Sequence, residues 1–352
     1  DPRRARARWR PKTRMGALET QDAHGRVRAG HLRCEEPLIM RRLLPSSLSL
    51  SSWTSPLAGI GRILTKLGRI GATVVLVLAG YGVFMVGGAV WISHVDDDIE
   101  FIGTAPPPGG SRAVALTAAL IDREIEGNGW TANTPPFLPS VLLDDMPEFQ
   151  MGMISALSRF AIEMADQLGR SRGSSNEDTD LAGAAGLLAY PGDRWYVDFR
   201  SGLSVTPASH EQYRQARGAL LAYNARVASG EAVFEARSDN LLFALNRIAG
   251  DLGGASARID EHIATKSGGF LISLDSDNLF YANKGRLYAY LLLLRELSRD
   301  FDAVISERQL GTVWRDLLRS LQAAVEMRPL SVVDGSPDGQ LFPNHLAVQG
   351  FY

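Results

Sequence analysis

The sequence predicts a mainly α-helical protein. A single N-terminal transmembrane helix is followed by a soluble helical-bundle body with a few short strands or hairpins. Three observations carry this. Residues 72–92 (ATVVLVLAGYGVFMVGGAVWI) run for 21 residues without a charge. Beyond them, apolar residues recur three and four apart along several stretches, the period of a helix buried on one face. Runs rich in β-branched and aromatic residues are short and few.

Composition sets the frame. The chain has 352 residues, 45% hydrophobic and 22% charged, with a formal net charge of −2. This excludes a collagen-like or wholly disordered chain. The one cysteine, Cys34, excludes an intramolecular disulfide framework and a thiolate-only zinc site. Charge is unevenly placed: residues 1–71 hold 15 Lys/Arg against 5 Asp/Glu, a balance of +10, and residues 72–352 hold 22 against 34, a balance of −12.

Residues 1–71 read as a basic, largely disordered cytoplasmic segment. Arg3, Arg4, Arg6, Arg8, Arg10, Lys12 and Arg14 crowd its start with little apolar content. A solvated tail is the plain account of such a run, and no nucleic-acid partner is expected. Residues 57–70 (LAGIGRILTKLGRI) are basic and amphipathic, suited to the inner leaflet before the span. At ~1.5 Å per residue the run 72–92 covers roughly 30 Å, the thickness of a bilayer core. Trp91 suits the headgroup level. Arg62, Lys66 and Arg69 precede the run, and Asp96, Asp97 and Asp98 follow it. The positive side stays inside, so the N-terminus is expected in the cytoplasm and the body in the periplasm of a bacterial inner-membrane protein.

Residues 93–110 are expected as a linker, ending in Pro106-Pro107-Pro108-Gly109-Gly110. Residues 111–352 are expected as the periplasmic helical domain. Phe149, Met153, Leu157, Phe160, Met164 and Leu168 form one stripe, stopped by Gly169. Ser209 and Gln212 match a capping box for a second helix carrying Tyr213, Ala216, Leu220, Tyr223 and Val227, ended by Gly230. A third stripe runs from Phe234 to Ile259, with Gly250, Gly253 and Gly254 placed to break it. Leu287–Leu294 (LYAYLLLL) is too short to cross a membrane and reads as a buried helix stripe. Leu310, Trp314, Leu317, Leu321 and Val325 make the last stripe, ended by Pro329. Short strand signals lie at Trp195–Phe199, Phe270–Leu274 and Leu330–Val333.

Catalytic signatures are weak. Gly169-Arg-Ser171-Arg-Gly173 matches G-x-S-x-G, but a helix precedes it where a nucleophile elbow needs a strand. Asp275-Ser-Asp277-Asn278 resembles the opening of a calcium loop, yet Leu279 fills the third ligand position and the required glycine is absent. These residues suit a cap for a helix beginning near Leu279. No two body histidines share a helix face, so no metal is expected, and no cofactor or catalytic residue is signalled. Polar clusters costly for a plain bundle remain: Asn128 and Trp130, Arg170 and Arg172, Lys284 and Arg286, Asn344 and His345. Loops of this composition are where binding resides, so these eight residues form the candidate binding surface.

The segments around the same clusters are distinctive. NGWTANTPPFLPSVLLDDMPEFQMGMISALSRFAIEMADQLGRSRGSSNED, AAGLLAYPGDRWYVDF, NLFYANKGRLYAYLLLLRELSRDF and PDGQLFPNHLAVQGFY resemble a family of uncharacterised proteobacterial proteins, Domain of Unknown Function 2333. The resemblance covers residues 70–352. It implies a short cytoplasmic lead, one inner-membrane span and a soluble body that continues past Tyr352. It carries no activity, so no site residue transfers from it. Two functional expectations follow. The first is a non-catalytic envelope protein whose body binds or scaffolds a protein partner. The alternative is a membrane-tethered enzyme acting on a substrate such as peptidoglycan or lipid.

Overall fold

A computed structural model describes residues 56–92, 94–135, 137–142, 145–168, 177–198, 204–266, 274–329, 332 and 344–352. The chain divides into two units, Asp1–Gly68 and Arg69–Tyr352. The described part of the first unit, residues 56–68, forms the start of helix α1 (Pro56–Ile92). Within the second unit, Gly71–Trp91 of α1 is long and apolar enough to cross a membrane, and 11% of it is buried. Leu76, Val77, Leu78, Val83, Phe84, Val86 and Val90 are all exposed. A helix apolar all round needs cover from protein or from lipid, and here the protein supplies little.

The body is a helical bundle. Helix α2 (Arg112–Asp122) begins at Ser111, whose hydroxyl accepts from the Val114 N–H. Asp300 reinforces this start by accepting from the Ser111 hydroxyl and from the Arg112 and Ala113 N–H groups. A carboxylate at these orphan donors satisfies them and suits the positive end of the helix. The helix ends in a π-turn, Arg123–Gly127. Gly129 then takes φ +76°, a left-handed turn that carries the chain into Trp130.

Helix α3 (Asp145–Glu163) buries Phe149, Met153, Leu157 and Phe160 as its spacing predicts, and continues into a second π-turn, Met164–Leu168. Helix α4 (Thr179–Leu188) is capped by Asp178. The two-residue strands β1 (Val197–Asp198) and β2 (Ser204–Val205) pair antiparallel, so one strand signal yields a minimal ladder. Residues 270–273, 330, 331 and 333, from the other two signals, lie outside the described residues, and Leu274 is helical.

Helices α5 (Ser209–Ser229), α6 (Ser238–Lys266) and α7 (Leu274–Asp300) follow, then the short α8 (Asp302–Glu307), α9 (Gly311–Val325) and α10 (His345–Phe351). Three expectations need correction. The capping box fails: Ala208 occupies the cap without a side-chain bond, and the Ser209 hydroxyl instead donates to the Pro191 and Arg194 carbonyls. Helix α6 runs unbroken through Gly250, Gly253 and Gly254. Its apolar stripe and the neighbours that cover it outweigh a propensity cost of about 1 kcal/mol per glycine. Helix α7 starts at Leu274, so Asp275 and Asp277 lie in its first turn, where their charge suits the helix dipole. The Gly230 stop holds: it ends α5 at φ +82°.

Helix α3 packs along α7 more extensively than any other pair of helices. Helices α2 and α4 cover α5, and α9 also packs on α7. At the α3–α7 crossing the backbones touch through two glycines. A Cβ on Gly152 would sit 1.9 Å from the Ala282 carbonyl oxygen, and one on Gly285 would sit 1.9 Å from that of Phe149.

Alanine at either site forces the two helices apart. Gly152→Ala or Gly285→Ala is expected to destabilise the body by about 3 kcal/mol, the upper end of core overpacking. Gly218→Ala, on the exposed face of α5 with nothing near its Cβ position, should stabilise by about 0.5–1 kcal/mol. Urea unfolding of the detergent-solubilised chain, followed by helical circular dichroism, measures both.

Candidate functional site

The acidic run after α1 is drawn into the body. Asp97 is 7% exposed, with Lys284 Nζ at 2.8 Å and Arg328 Nη2 at 2.5 Å. Lys284 is 2% exposed and also donates to the Met327 carbonyl at 2.6 Å. Arg123 reaches the Asp96 carboxylate at 3.5 Å and donates to the Asp96 carbonyl and the Tyr288 hydroxyl. Its guanidinium also lies 4.8 Å from the Phe101 ring centre and 5.1 Å from that of Tyr288, within cation–π range. The Tyr288 hydroxyl donates to the Asp98 carbonyl, and Arg295 donates to the carbonyls of Ile99 and Phe101. Val95, Ile99 and Phe101 pack against the core. Four cations thus hold residues 96–101, at the start of the expected linker, against the bundle.

A buried polar network extends from this clamp. Glu124 is fully buried and accepts from Arg123, Asn128 and Gln150. Gln150 accepts in turn from the Thr131 N–H and hydroxyl. Burial alone would raise the Asp97 pKa, but the hydrogen bonds and charges of Lys284 and Arg328 outweigh it and hold it below the usual value. Burial depresses Lys284, and Asp97 restores part of that. Burial also raises Asp300, against its three hydrogen bonds.

The second feature is an open groove of about 590 Å³ between α3, its π-turn and α6. Arg159 and Glu163 line it from α3, Asp166 from the π-turn, and Phe243, Arg247, Asp251 and Arg258 from α6. Asp251 is held at its edge by the Tyr290 hydroxyl at 2.9 Å and by Arg286 Nε at 3.0 Å, the latter close in charge but poorly aligned for a hydrogen bond. The remaining pairs are looser: Arg159 lies 3.8 Å from Asp251, and Arg247 lies 3.4 Å from Glu163. Arg258 has no carboxylate partner among the described residues. The arginines of these long contacts are half-exposed while their carboxylates are nearly buried, so the guanidinium groups still present donors to an incoming carboxylate or phosphate. Phe243 and its neighbour Leu242 are exposed beside them, and arginine next to exposed aromatic surface is typical of binding faces. Among the described residues no cluster of His, Cys, Asp and Glu is arranged to hold a metal ion.

The sequence candidates that fall among the described residues are placed as follows. Asn128 belongs to the Glu124 network. The Trp130 indole N–H donates to the Gly192 carbonyl at 2.8 Å, and its ring packs edge-on against Tyr213. Lys284 is in the clamp, and Arg286 joins Asp251 to Asn283. Asn344 caps α10 through the Ala347 N–H. His345 opens α10, and burial lowers its pKa. Arg170 and Arg172, with the G-x-S-x-G match, lie outside the described residues. Sequence reasoning passed over Asp97, Arg123, Glu124, Asp251 and Arg258. Asp97 was visible, but as a topology signal rather than as a buried ion.

These features define a helical bundle joined through a buried ionic clamp to one apolar helix. Residues 110–269 match the model of Domain of Unknown Function 2333, described as an uncharacterised protein conserved in bacteria. No curated protein and no solved structure matches the chain.

Asp97 and Lys284 act oppositely on stability. The contribution of Asp97 is present above its unfolded-state value of 3.8 and is lost as pH falls through its lower folded-state value. The depressed Lys284 carries a penalty below its folded-state value, which is relieved as pH rises towards 10.5. Asp97→Asn leaves the lysine buried and unpaired, and is expected to cost about 3–5 kcal/mol near neutral pH. The loss should shrink as the medium becomes alkaline, and the acid-side dependence should flatten. Unfolding midpoints across pH for both chains test this.

Proposed function

We propose that this chain is a single-pass inner-membrane protein, N-terminus in the cytoplasm, whose periplasmic helical body binds or scaffolds a protein partner of the cell envelope. One observation carries the reading. An apolar and largely exposed stretch of helix, Gly71–Trp91, runs, within a few residues of its end, into an acidic segment locked inside the body. A body held this way is presented at a set place beside the membrane rather than swinging on a tether. Arg62, Lys66 and Arg69 on one side of the span and the acidic body on the other support the orientation. The groove of loosely paired arginines beside Phe243 supports a charged protein partner docking between α3 and α6.

Two measurements test it. A periplasm-dependent reporter fused after Tyr352 should be active and a cytoplasm-dependent one silent; the reverse result sinks the orientation. A photo-crosslinking residue at 243 should give one discrete adduct in cells, one at 313 on α9 should give none, and Arg258→Glu should abolish the first. Equal labelling from 243 and 313 would remove the groove as the docking face.

A further inference from the structure

We infer that the body makes a second contact with the bilayer, through an apolar wedge formed by Phe137, Leu138 and Leu142 beside the span. This rests on α1 crossing the membrane. Residues 132–143 (ANTPPFLPSVLL) carry no charge. Phe137 and Leu142 are each 55% exposed, and Leu138 is 37% exposed, a concentration of apolar surface in one short loop. The loop does not face open solvent alone. Pro139 packs on Gly88 of α1 so closely that a Cβ there would lie 2.5 Å from the proline Cγ. The Tyr81 hydroxyl donates to the Phe137 carbonyl at 3.0 Å.

These contacts give the loop a depth. Gly88 is three residues before Trp91 and Tyr81 is ten, so at ~1.5 Å per residue the loop runs beside roughly the last 15 Å of the helix. That is about half of a ~30 Å bilayer core. Non-α backbone is tolerated at such depth only where protein covers it; Pro139 and Ser140, in the 3-10 turn Pro139–Leu142, are buried against protein, while Phe137, Leu138 and Leu142 are exposed. Prolines at 135, 136 and 139 have no N–H to satisfy. The Thr134 and Leu138 N–H groups donate to the carbonyls of Thr131 and Pro135, and Tyr81 serves the Phe137 carbonyl. The flank fits as well. Trp195 meets Phe137 edge-on at 6.4 Å, Tyr196 is exposed next to it, and Val205 on β2 is 85% exposed. Aromatic rings with a polar tip suit the headgroup level above an apolar wedge. The occupant that this combination fits is therefore the lipid leaflet on the C-terminal side of the span.

Fluorescence quenching in vesicles tests the wedge. The full chain carrying Cys34→Ser is labelled with a small fluorophore through Leu138→Cys or Leu142→Cys and reconstituted into phosphatidylethanolamine–phosphatidylglycerol vesicles. Val83→Cys reports the span, and Val313→Cys on α9 reports the aqueous face. Labels at 138 and 142 should lose most of their emission to nitroxide-bearing acyl chains and little to aqueous iodide, like 83 and opposite to 313. If 83 is quenched by lipid while 138 and 142 are quenched by iodide, the span stands and the wedge is refuted. If 138 and 142 resist both quenchers, protein covers the loop and the lipid occupant is wrong. If 83 itself is quenched by iodide, the span reading fails first.

Discussion

The body is organised by the crossing of α3 and α7, where backbone lies directly against backbone. Gly152 faces the Ala282 carbonyl and Gly285 faces that of Phe149. With no side chain on either side of the contact, the two helices can meet in only a narrow range of register and rotation. The rotation of α7 then decides what each of its faces carries. Lys284, Tyr288 and Arg295 are spaced four and seven apart and share one face, which receives the segment that follows α1. Arg286 and Tyr290, also four apart, lie on a different face and hold Asp251 at the edge of the groove. One helix therefore links the junction with the apolar helix to the charged groove, and the two glycines set its orientation.

The junction shows how polar groups specify geometry at some expense of stability. Four cations converge on residues 96–101. Lys284 is depressed by burial even with Asp97 beside it, so its pairing does not fully offset desolvation. An apolar contact of the same size would hold as well and slide more easily. Ion pairs and carbonyl bonds with defined directions oppose sliding. A buried clamp is thus better suited to presenting the body at a set angle than to raising its stability.

Much of the bundle is legible from residue order. The α3 stripe, the Leu287–Leu294 stripe and the Gly230 stop follow from periodicity and from the conformational freedom of one glycine, all of them local properties. Where local rules compete, the structure departs from them. Ser209 has the chemistry of a cap, but its hydroxyl is drawn to the Pro191 and Arg194 carbonyls of a neighbouring turn. The three glycines of α6 argue for a break, but packing of the surrounding apolar stripe keeps the helix whole. Asn128, Lys284, Arg286 and Asn344 were marked by the oddity of polar residues near apolar runs. That oddity was real, and it reflects buried bonds and caps.

The length, charge-free run and flanking charges of the apolar helix, and the helical class of the body, were all available in the sequence. They depend on neighbours a few residues apart, and a linear pattern records such neighbours well. The clamp and the groove were not available in it. Asp97 meets Arg328 across 231 residues, and Asp251 meets Arg286 from another helix. A charge written in sequence reads as a solvated charge until the fold removes it from water and supplies its counter-ion. That step belongs to tertiary packing, because the cost of burial and the identity of the partner exist only once distant segments are brought together.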